Sequence, residues 1–204
     1  MRRAALVVAA CFASVTSAQS AVVAVSHDDP DGIVDPGQSV RISVQVAWTQ
    51  NRVLGGLTGD VVASPDAGMA QNPVNLLQGS WPASPAFHPG NPVLGSIRGY
   101  SAYVHPGSTS VPPGFLQWSG ADALEFDWIA PGLSGAGEYS FGFEFTPPSA
   151  GVYLYPVLIG SEPPVLVPTT VIPATLTVVP APASIGAMAL AGLALPGRRR
   201  RPDR

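Results

Sequence analysis

The sequence has no lysine, almost no cysteine and little charge of either sign. Its single cysteine, Cys11, lies near the start, so the chain beyond it cannot form a disulfide, a thiolate zinc site or a cysteine nucleophile. Charged residues make up 11% of the chain and apolar residues 46%. That balance excludes a charge-rich disordered chain and suits a packed core. All ten basic residues are Arg, and seven of them occupy the first three or last seven positions. Between Gln19 and Gly197 only Arg41, Arg52 and Arg98 face twelve acids, a net charge of −9. A body of that sign repels a polyphosphate backbone, so nucleic acid is not an expected partner. A sustained helical period with caps is also missing, and 22 Gly with 23 Pro argue against a helical protein.

The positive charge instead marks the two ends. Arg2 and Arg3 precede an apolar run from Ala4 to Val15 and the small residues Thr16-Ser17-Ala18. This is the pattern of a secretory signal peptide over residues 1–18, cut between Ala18 and Gln19. A competing reading takes Val8-Ala9-Ala10-Cys11 as a lipobox with Cys11 acylated. At the other end Val179-Pro180-Ala181-Pro182 is followed by a 15-residue apolar run, Ala183 to Gly197, and by Arg198-Arg199-Arg200-Arg201. As a helix the run would be about 22 Å long, a marginal span of a hydrocarbon core roughly 30 Å thick. The arginines would stay on the cytoplasmic side and leave the body outside.

Residues 180–204 resemble a PEP-CTERM sorting tag, with Ala181 standing where that motif has Glu. The resemblance implies recognition by a membrane exosortase that cuts near the proline motif, transient membrane insertion through the C-terminal hydrophobic helix, and delivery to the cell surface or extracellular matrix. The alternative is a tail anchor that is never processed, because a short run can tilt or thin the bilayer at modest cost.

Residues 19–179 read as one β domain. Val40, Ile42, Val44, Val46 and Trp48 alternate with Arg41, Ser43, Gln45, Ala47 and Thr49, the period of a half-buried strand. Leu124, Phe126 and Trp128 alternate with Glu125 and Asp127, and Tyr139, Phe141, Phe143 and Phe145 with Ser140, Gly142 and Glu144. Further strands are expected at 21–26, 57–63, 99–104, 151–159 and 174–179. Short strands with turn signals and no βαβ alternation predict a single antiparallel β-sandwich, immunoglobulin-like or jelly-roll-like. Asp35-Pro36-Gly37-Gln38 before a strong strand also resembles the opening of immunoglobulin-like and cohesin-like bacterial surface domains. Nine prolines between Pro65 and Pro113 predict a loop-rich insertion or edge.

Candidate chemistry is sparse. On a twelve-residue calcium loop starting at His27, Asp29, Asp31 and Asp35 take the third, fifth and ninth positions, and Gly32 takes the turn. His27 and Gln38 then replace the two carboxylates that close such a cage, and a plain turn between strands is the favoured reading of the segment. No other cofactor is expected. Asp122, Glu125 and Asp127 invite a glycosidase reading, but Glu125 and Asp127 share the polar face of an amphipathic strand. His27, His88 and His105 lack ligand spacing, and no Gly-X-Ser-X-Gly elbow occurs. Trp81, Phe87, Tyr100 and Tyr103 would either stack on a polysaccharide or plug the end of the core. The sequence therefore predicts an exported, non-enzymatic surface or matrix protein. Its alternatives are a carbohydrate-binding or calcium-dependent adhesion module and a secreted hydrolase.

Overall fold

The computed structural model describes residues 19–48, 52–79, 86–104, 119–147, 151–155 and 163–180. Its strands are β1 (Ala21–His27), β2 (Ile33–Val34), β3 (Ser39–Trp48), β4 (Val53–Ser64), β5 (Met69–Asn75), β6 (Phe87–His88) and β7 (Asn91–Val93), then β8 (Ser96–Tyr103), β9 (Gly120–Ile129), β10 (Gly137–Phe145), β11 (Val152–Tyr155), β12 (Val165–Val167), β13 (Thr169–Ile172) and β14 (Ala174–Val178). A single 3-10 turn, Leu133–Gly135, is the helical element among the described residues. The C-terminal helix, the signal segment 1–18 and the tag beyond Pro180 lie outside them.

Two sheets form a sandwich. One runs β13-β1-β3-β9-β5, and the other runs β12-β11-β4-β10-β14-β2, with β8 on the free side of β4 and β6 and β7 beyond β8. Both follow from alternation: Val40, Ile42, Val44, Val46 and Trp48 of β3 are buried, as are Tyr139, Phe141 and Phe143 of β10. The two apolar faces meet at Trp128, whose ring lies 5.1 Å from Phe141 in a T-shaped contact and 5.2 Å from Tyr139. Trp128 Nε1 donates to Ala67 O (3.1 Å), so the one polar atom of that ring is satisfied inside the core.

The expected purely antiparallel pairing holds for all but two of the described strand pairs: β13 runs parallel to β1 and β2 parallel to β14. From Val165 to Val178 the chain pairs first with β11, then with β1, then with β10, changing sheet at Pro168 and again at Pro173. Proline lacks the N–H that would continue either ladder, so it suits those crossings.

The proline-rich region corrects a further expectation. It carries β5 to β8, and β8 pairs along β4 from Gly56 to Val61. Its described prolines avoid inner ladders: Pro65 follows a cis bond, Pro73 lies in a bulge of the edge strand β5, and Pro92 is in the short outer strand β7. Among its described residues, the edge strand β5 and the short outer strands β6 and β7 fit the expected loop-rich edge.

Candidate functional site

The aspartate-rich segment joins β1 to β3 at one end of the sandwich. Asp29 Oδ1 accepts from Gly32 N (2.8 Å) and Asp29 Oδ2 from Gln38 Nε2 (3.1 Å). Asp31 Oδ1 accepts from Ile33 N (3.0 Å), and Asp28 Oδ1 accepts from Arg41 N (2.9 Å). Asp35 N donates to Gln38 Oε1 (3.0 Å), while His27 Nδ1 donates to Asp29 O (3.0 Å). The Asp29 and Asp31 bonds to Gly32 N and Ile33 N are turn-forming bonds of short carboxylates on nearby backbone, while Asp28 reaches β3 and the Gln38 and His27 side chains close the rest. Gly32 at φ +70 and Gly37 at φ +81 supply the left-handed residues that the two bends require. Burial opposes ionisation of Asp29, but hydrogen bonds from Asp31, Gly32 and Gln38 outweigh it and hold its pKa below the ordinary carboxylate value. Among the described residues no three His, Cys, Asp or Glu side chains gather as ligands for a metal ion. The loop is thus closed by its own hydrogen bonds.

The carboxylates of β9 lie on the outer face of the five-stranded sheet. Asp127 accepts from Arg41 Nη2 (3.0 Å) and from Asn72 Nδ2 (3.0 Å), and Arg41 Nη1 lies 3.7 Å from Glu125. Asn72 is the main cause that lowers the Asp127 pKa; burial works against it and Arg41 adds to it. Asp122 would point inward by simple alternation with Leu124. A bulge at Ala123 buries both Ala123 and Leu124 and turns Asp122 outward, where Gln45 Nε2 donates to it (2.8 Å). The three acids share a solvated face and are held by Gln45, Arg41 and Asn72. Sequence periodicity could not name these partners, because they depend on strand register.

Beside the bulge lies an open groove of about 590 Å³ between Gln45, Ala47, Leu76, Gly120, Ala121 and Asp122. It lies at the end of the sandwich opposite the aspartate loop, and no aromatic side chain lines it among the described residues.

Of the aromatic residues considered for sugar stacking, Phe87 and Tyr100 belong to the core. Tyr100 OH donates to Ala123 O (3.0 Å), and Asn75 Nδ2 to Ser101 O (2.9 Å), so β5, β8 and β9 are tied together across the open side of the two sheets. Burial pushes the Tyr100 pKa upward and keeps its proton in place as a donor. Tyr103 is half-buried on the outer face of β8, opposite Gly56. Trp81 and His105 lie outside the described residues. His27 and His88 belong to different sheets, on β1 and β6, and form no pair.

Layering and topology together define an all-β protein of the two-sheet sandwich class. No family model matches the chain. No curated protein matches it. Among solved structures it is similar to the seventh ScaB type I cohesin from Pseudobacteroides cellulosolvens, at TM-score 0.47 and 9% identity over 80% of this chain and 93% of that one. A type II cohesin domain from the cellulosome of Acetivibrio cellulolyticus is similar at TM-score 0.44 and 15% identity, over 77% and 95% of the two chains. The second type II cohesin module of the ScaA scaffoldin of Acetivibrio cellulolyticus gives TM-score 0.45 and 14% identity, over 81% and 100%.

Proposed function

We propose that the chain is the precursor of an exported, non-enzymatic surface or matrix protein, in which the sandwich is the delivered product and the tail is its address. The carrying observation is the position of the first and last strands among the described residues. Strand β1 opens at Ala21, two residues after the expected signal cleavage, and β14 closes at Val178, immediately before Val179-Pro180-Ala181-Pro182. This fits a delivered domain bounded by the two expected signals, with Val179 the residue that domain and tag share. The non-enzymatic reading is supported by the use of the β9 carboxylates, which neutralise Arg41 and hold Asn72 and Gln45 on a solvated face.

Fractionation of the producing cells with mass spectrometry of the mature C-terminus tests this. The expected product is a surface or released species that begins at Gln19 and lacks Arg198 to Arg201. An intact arginine cluster in the membrane fraction would overturn sorting by an exosortase and favour the permanent anchor.

A further inference from the structure

The two termini of the domain leave from opposite ends of the sandwich. Ala21 sits beside Thr169, and Ala21 N donates to Pro168 O (3.0 Å). From Thr169 the chain runs parallel to β1 and then on through β14 to Val178, a span of roughly 30 Å at about 3.3 Å per residue. There it meets the aspartate loop: Thr177 and Val178 pair with Ile33 and Val34 of β2, and Val179 N donates to Val34 O (3.1 Å). The first residue of the proline motif is therefore still hydrogen-bonded to the domain, and no spacer separates the fold from the tag.

We infer that the sandwich is tethered end-on: the end carrying Asp28–Gln38, Pro65–Gly68 and Pro131–Ala136 faces the membrane, or the later attachment point, and the end carrying Trp48, Leu76 and Gly120 faces outward. This rests on the reading that the tail inserts in the membrane, and deepens it by assigning an orientation. Chain connectivity supports the same polarity. The connections at the tethered end span four to seven residues, whereas the longer ones, which follow β5, β8 and β11, all start from the far end. The groove beside Gln45 and Asp122 opens there as well. Binding loops are disproportionately carried where a rigid scaffold presents them to solvent, and end-on tethering does this for the far end. The aspartates at the near end are repelled by an anionic leaflet. The tether is covalent and starts at this end, so the repulsion changes the tilt of the body and not the end by which it is attached.

The test uses the chain exported by a host lacking the sorting enzyme. Cys11 leaves with the signal peptide, so one introduced cysteine is the only thiol. Ile33→Cys and Leu133→Cys place it at the near end and Ala47→Cys at the far end, all at exposed positions. Each variant is labelled with a fluorophore and reconstituted in phosphatidylethanolamine–phosphatidylglycerol vesicles bearing a headgroup quencher. The expected result is co-flotation of all three with the vesicles, loss of fluorescence at positions 33 and 133, and none at 47. Co-flotation with equal quenching at the two ends, or with stronger quenching at 47, overturns the orientation alone. Failure to float overturns the anchor reading, and the orientation with it.

Discussion

Asn72 shows how much one residue does on the outer face. It adopts φ +53 at the bulge of β5, and its side chain donates to Asp127, the main reason that carboxyl is more acidic than usual. Asparagine tolerates the left-handed region better than other side chains because it is short and polar. Asn72→Ala loses both the hydrogen bond and that tolerance, and should destabilise the domain by about 1–2 kcal/mol at neutral pH. The pH dependence has a defined sign. A carboxyl whose folded pKa is depressed contributes stability that is complete above the ordinary aspartate value, about 3.9, and is lost as pH falls through the lower folded value. Asp29 and Asp127 both contribute in that sense. Urea melts at pH 7 and pH 3 should therefore show a larger acid loss for the wild type than for Asn72→Ala, and equal losses would refute the assignment. That Asp127 faces solvent was legible from alternation along β9, but its partner was not. Asn72 reaches it only because the bulge between Gln71 and Val74 changes the β5 register.

Strand β4 organises the second sheet, and glycine permits its packing. One edge pairs with β8; the other pairs with β10 along Gly59 to Ser64 and with β11 along Val53 to Gly56. A Cβ on Gly59 would meet the Glu144 carbonyl oxygen and, at 2.5 Å, the Phe143 ring. Neither can retreat without loosening the β4–β10 ladder. On the neighbouring strand, Gly142 has open space where its Cβ would stand. Gly59→Ala should cost about 1–3 kcal/mol or more through overpacking, whereas Gly142→Ala should be neutral or slightly stabilising, since alanine restricts the unfolded chain. Thermal melts of the pair decide this, and equal shifts would sink the packing account. The strands with long apolar alternation, β3, β9 and β10, were legible from sequence. β2, β6, β7, β12 and β13 were not, because strands of two to four residues are too short to show a period and exist only by pairing with a longer neighbour.

Across the whole molecule the body carries a net charge of −9 without a disulfide, so self-repulsion opposes a compact state held by its core. Salt should raise the melting temperature by screening. Millimolar calcium should raise it no more than sodium chloride of equal ionic strength, because the carboxylates of Asp29 and Asp31 are already engaged by backbone N–H groups. A specific calcium increment in differential scanning calorimetry would reverse that reading, since an ion held only by the native state must stabilise it. Alternation, composition and terminal charge are local properties, so the class of fold, the acidic character of the body and the patterns at its two ends were legible in the sequence. It also placed Glu125 and Asp127 on a polar face. Only the tertiary structure decided that Asp122 joins them through a bulge, that β13 and β14 belong to opposite sheets, and that Ala21 and Val178 lie at opposite ends. Those outcomes depend on register and on which strands become neighbours, and both are set when distant segments bury their apolar faces against one another.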